Sequence, residues 1–105
     1  MDVDNFGVSL KVNGKVIKLS GFPRDFVAKT LAGSATSLKG VDRVEGLALT
    51  LRFGKIKLKV NEQDVDLIQF PTLMLASTLK GMLSVLSGVE GEINTADVKI
   101  RKIRS

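Results

Sequence analysis

Two stretches of this chain repeat one another, and the repeat constrains the fold more than any other feature. Residues Phe22 to Val41 and Phe70 to Val89 both open on Phe-Pro, carry Thr-Leu-x-Gly in the middle and end on Leu-x-Gly-Val. The register extends outward without a gap at an offset of 48. From Val8 to Val41, 14 of 34 positions match their partners, among them Leu10/Leu58, Val12/Val60, Asn13/Asn61, Ala28/Ala76, Leu31/Leu79, Gly33/Gly81 and Gly40/Gly88. A unit of this size can hardly bury its own apolar face, whereas two units closed on one another can.

Each unit reads as hairpin, helix, strand. Val8, Leu10 and Val12 alternate with polar residues, the period of a strand with one buried face. Asn13-Gly14 predicts a two-residue type I′ turn, because both residue types tolerate positive φ. Lys15 to Leu19 is the return strand. Pro23 suits a first helical turn, and Phe26, Val27, Leu31, Ser34 and Leu38 recur at helical spacing. Gly40, and Gly88 in the second unit, suit the left-handed residue that ends a helix. Leu47, Leu49, Leu51 and Phe53 then predict a third strand. The alternation changes phase at Gly54, so a tight turn or bulge is expected there. Ile56, Leu58 and Val60 open the second unit, Val65 and Leu67 return, and Ala96, Val98 and Ile100 end it. One extra residue enters the loop around Glu92 to Thr95. Residues 1 to 7 read as a lead-in and Lys102 to Ser105 as a basic tail.

The predicted architecture is α+β: a tandem pseudo-twofold ββαβ repeat, six strands and two helices sharing one core. It forms a single domain, with repeat one over 8–53 and repeat two over 55–101. Gly33 and Gly81 fall mid-helix, where each costs about 1 kcal/mol relative to alanine, so close helix packing is expected at both.

Composition narrows the chemistry. The 105 residues contain no Cys and no His, which removes thiolate chemistry, the usual general base and the commonest metal ligands. Ser37 and Lys39 lie too exposed for a nucleophile pair, and Gly33 to Ser37 lacks the ending of a phosphate loop. The acidic residues Asp42, Glu45, Glu90, Glu92 and Asp97 have no metal-loop spacing. The sequence therefore predicts a non-enzymatic protein without cofactor or metal. The start is polar, and the apolar run Leu73 to Val89 is broken by Lys80, so a cytoplasmic protein without membrane contact is expected.

Sixteen basic residues against 11 acidic ones leave a formal net charge of +5. Outward strand positions hold Lys11, Arg52, Lys55, Lys57, Lys59, Lys99 and Arg101. Together they form a candidate surface for nucleic-acid backbone or a ribonucleoprotein. No aromatic residue alternates with them, so base stacking is not expected. The bland alternative is a solvated face whose lysines protect sheet edges, partly neutralised by Asp64, Asp66 and Asp97. A second candidate lies on helix two, where Asp25, Ser34 and Ser37 of the first copy become Leu73, Met82 and Val85. These three form either extra core or a surface for a protein partner or self-association.

The Val12-Asn13-Gly14-Lys15 string, the Phe-Pro pair and the helix end Ser37-Leu38-Lys39-Gly40-Val41 resemble short uncharacterised archaeal proteins with a Val-Asn-Gly-Lys hairpin and a Ser-Leu-Lys-Gly-Val helix end. Here the pattern occurs as a tandem duplication. The resemblance implies a shared scaffold and an archaeal source, and carries no activity. The second copy departs from it at Glu62 and Ser87.

Overall fold

The computed structural model describes residues 5–38, 41–67 and 69–103. Eight elements follow in order: β1 (Asn5–Val12), β2 (Lys15–Ile17), α1 (Gly21–Thr36), β3 (Gly46–Arg52), β4 (Lys55–Val60), β5 (Gln63–Val65), α2 (Gln69–Leu83) and β6 (Thr95–Ile103). The six strands form one antiparallel sheet in the order β2-β1-β6-β3-β4-β5. The class is α+β, as the sequence predicts.

The third strand of each unit does not pair with its own hairpin. β6 pairs β1, and β3 pairs β4. Exchanging β1 with β4, β2 with β5 and β3 with β6 reproduces the strand order read from the other edge. The registers follow the same exchange. Val12↔Ala96 corresponds to Val60↔Leu47, and Leu49↔Val98 corresponds to itself. This order and these registers are consistent with the twofold relation expected of the repeat.

Directly opposed residues share a face, so a single row crosses the whole sheet: Ile17, Leu10, Val98, Leu49, Leu58 and Val65. All but the edge residue Val65 are buried. Helix α1 packs on β1 and α2 on β4. Val27, Ala28, Leu31 and Ala35 of α1 and Leu75, Ala76, Leu79 and Leu83 of α2 join the strand residues in one apolar cluster. The opposite sheet face has no layer over it among the described residues.

Three two-residue turns have positive φ at both positions, and the one at Phe53-Gly54 explains the change of phase. Asn13-Gly14 (φ 50° and 81°) makes the expected positive-φ hairpin. Phe53-Gly54 (φ 48° and 84°) makes another between β3 and β4. Its two-residue length pairs odd positions of β3 with even positions of β4, which keeps both apolar sets on one face. Asn61-Glu62 repeats the first turn with Glu62 at φ 68°. The replacement of glycine therefore leaves that hairpin intact at the cost of local strain.

Several expected boundaries move. Residues 5–7 are not a lead-in, and Lys102 and Ile103 are not a tail: Asn5 pairs Ile103, Phe6 pairs Lys102 and Gly7 pairs Arg101. Helix α1 ends at Thr36, where hydroxyls turn back on the backbone. Ser34 Oγ donates to the Thr30 carbonyl, Thr36 Oγ1 to Gly33 and Ser37 Oγ to Ser34. Helix α2 ends at Leu83 with Ser84 Oγ donating to Gly81. Gly88 has the expected positive φ but lies in the connection beyond the helix. Gly40, Arg104 and Ser105 lie outside the described residues. Phe26 faces solvent instead of the core and packs on Phe22, ring centroids 5.6 Å apart. Gly33 and Gly81 are exposed, and a Cβ at either would meet nothing within 4 Å, so no close helix packing accounts for them.

The two units are clasped by a matched pair of asparagines. Asn13 Oδ1 accepts from the Asn94 and Thr95 amides at 2.9 and 3.0 Å, and its Nδ2 donates to the Glu92 carbonyl at 2.9 Å. Asn61 Oδ1 accepts from Glu45 and Gly46 at 2.7 and 3.1 Å, and its Nδ2 donates to the Arg43 carbonyl at 2.9 Å. Each asparagine holds the loop that leads into the other unit's third strand.

Candidate nucleic-acid interface

The residues between the buried ones point to the open face. Ser9, Lys99, Ala48, Lys59 and Asp64 form one row across it, and Lys11, Asp97, Thr50 and Lys57 another. Arg101 lies beside Gly7 and Gly46, and Arg52 beside Thr95 and Lys55. All seven predicted basic residues, Lys11, Arg52, Lys55, Lys57, Lys59, Lys99 and Arg101, therefore project from the same side of the sheet, and all are exposed. The described strand positions on that face bring only Asp64 and Asp97 against them.

Those carboxylates act unequally. Asp97 is bound to Arg52, Oδ1 to Nη2 at 2.8 Å, and a second Arg52 nitrogen donates to the Leu51 carbonyl. Asp64 is opposite Lys59 on the edge strand β5, with no ion pair between them. Lys57, Lys59, Lys99 and Arg101 make no ion pair or side-chain hydrogen bond to the described residues. Asp66 follows β5 and is exposed.

Comparing the two copies across this face shows a division that reading either alone misses. Outward positions of copy one are small where copy two is cationic or polar: Gly7/Lys55, Ser9/Lys57, Gly46/Thr95, Ala48/Asp97 and Thr50/Lys99. In the sheet centre the strands alternate between copies: β1, β6, β3, β4. The low floor of β3 (Gly46, Ala48, Thr50) therefore runs between cations on β6 (Lys99, Arg101) and on β4 (Lys57, Lys59). A surface depression overlaps the Gly46–Ala48 end of this floor and extends past β6 to β1, without Thr50 or Lys57. Its walls and floor include Gly7, Ser9, Gly46, Ala48, Lys59, Lys99 and Arg101, with Glu45, Asn61 and Glu62 at one end. The sequence reading singled out the cations and missed this floor, although pairing outward positions of the two copies carried the signal.

The helix-two candidates are not brought together. Leu73 is 56% exposed in the first turns of α2, beside exposed Met74. Val85 is 82% exposed but lies past the helix end, while Met82 is half-buried against the core. Among the described residues no group of three or more His, Cys, Asp or Glu could hold a metal ion. No described helix is long and apolar enough to cross a membrane. Comparison of the chain with family models, curated proteins and solved structures returns no match.

Proposed function

We propose that this protein is a small, non-enzymatic cytoplasmic module that binds nucleic-acid backbone through the open face of its sheet. The observation that carries the reading is the collection of seven cations on one face with no described layer over it, six of them without a partner among the described residues. Releasing counterions from the phosphates, such a face attracts any sugar-phosphate chain irrespective of sequence. None of its outward strand positions is aromatic, so contact is with phosphates rather than stacked bases.

The test is binding of labelled RNA and DNA duplexes followed by fluorescence anisotropy as salt is raised from 50 to 200 mM. Affinity is expected to fall at least tenfold across that range, and K57E/K59E to abolish binding at the lower salt. Salt-insensitive binding, or none at 50 mM, defeats the reading. The second reading, a protein-interaction or self-association surface at the start of α2, draws support from the adjacent exposed Leu73 and Met74. It predicts a salt-resistant association that Leu73→Asp removes and K57E/K59E leaves unchanged.

A further inference from the structure

We infer that a single sugar-phosphate strand lies along β3, in the trough floored by Gly46, Ala48 and Thr50, with Lys57 and Lys59 on one side and Lys99 and Arg101 on the other. This rests on the nucleic-acid reading and goes beyond it by naming the path. Three observations define it. The walls stand two strand spacings apart, roughly 9.5 Å, which leaves a channel one chain wide. Lys57 and Lys59 on one wall, and Lys99 and Arg101 on the other, are two residues or about 6.6 Å apart, comparable with one phosphodiester step of an extended backbone, while beside Thr50 the β6 wall is Asp97, paired to Arg52. The floor residues are half-buried although no described residues form a layer over the face.

Both ends of the trough are marked. Arg52, on β3 itself, is turned onto Asp97 and closes one end, so this cation is committed within the protein. Glu45 and Glu62 stand at the other end. Glu45 is itself paired with Arg43 and Lys102. Between these limits the floor runs five residues, about 13 Å from Gly46 to Thr50, enough for two to three phosphates. The ligand class is therefore a short stretch of one strand, met from its backbone side with the bases turned away. Such a site takes the strand whether or not it is paired to a complement.

Lys11 and Lys59 provide a matched comparison. They occupy the same position in the two copies, and both are exposed on the open face. Only Lys59 borders the trough; Lys11 lies beyond β6 on β1. If the strand follows β3, Lys59→Gln weakens binding at least fivefold and Lys11→Gln changes it less than twofold. Equal losses from the two overturn the path.

The experiment measures RNA duplex, DNA duplex and single strands of each against the intact protein, with polyglutamate at equal charge as competitor. Ala48→Ile fills the trough without altering charge and suits a strand position. It is expected to lower affinity tenfold or more for all four nucleic acids, with the thermal midpoint and circular dichroism unchanged. Thr50→Ile serves as the second blocking variant should Ala48→Ile fold poorly. The salt slope for duplex is expected to be about −2 to −3, for two to three phosphates in the trough, rather than about −6 for one phosphate at each of the seven cations. Undiminished, salt-sensitive binding by folded Ala48→Ile and Thr50→Ile overturns the trough while leaving the basic-face reading standing. Displacement by polyglutamate as effective as by nucleic acid overturns the ligand class. Absence of any nucleic-acid binding overturns both.

Discussion

Asn13 and Asn61 show what one side chain contributes that a turn type does not. The hairpin needs only positive φ, which Gly meets as well as Asn. At the matching turn, Glu62 follows the asparagine where Gly14 follows Asn13. The three hydrogen bonds from each asparagine side chain to the other unit's loop are what it contributes. Asn13→Ala loses these bonds and places alanine at φ 50°, and should cost about 2 kcal/mol. Asn13→Gly keeps the backbone comfortable and loses the bonds alone, so it should still cost about 1 kcal/mol. Urea unfolding of both variants measures the difference. If Asn13→Gly is neutral, the side chain has no role beyond its φ.

At the scale of elements, the helices carry removable instability. Gly33 and Gly81 sit in exposed helical positions with open space where a Cβ would go. Gly33→Ala and Gly81→Ala should each stabilise the protein by about 0.5–1 kcal/mol, read as a rise in thermal midpoint. The sequence suggested the reverse, because matched mid-helix glycines usually indicate close contact. Strands were read more successfully than helices. The alternation of Leu10, Val12, Leu47, Leu49, Leu51, Leu58, Val60, Val98 and Ile100 has only one phase that buries them all, and those residues are buried. Helix ends were less legible, since the apolar spacing continues through Leu38 and Leu86 beyond the last helical residues. Hydroxyl-to-backbone bonds accompany the helix ends, and serines and threonines also occur inside helices, so composition alone does not mark the stop. The cations of the interface were visible as outward strand residues. Which strand lay between them was not, because pairing order depends on contacts far apart in the chain.

Across the whole molecule, the exchange of third strands determines how it comes apart. β6 is held between β1 and β3, and β3 between β6 and β4, so neither unit has a complete sheet without the other. Unfolding should accordingly be one cooperative event, with calorimetric and van't Hoff enthalpies equal and probes in either unit reporting the same midpoint. Two resolved transitions would contradict a shared core. A further consequence concerns which surfaces such an arrangement permits. Two identical chains joined in this way would have to display the same residues on both sides of their axis, so every groove would come with a rotated copy across the dyad. Covalent linkage lifts that obligation. Leu49 and Val98 face one another in the interior, while Ala48 and Asp97, one position away, differ in size and charge. The result is a lopsided exterior around an even-handed core, which no homodimer of either half could present.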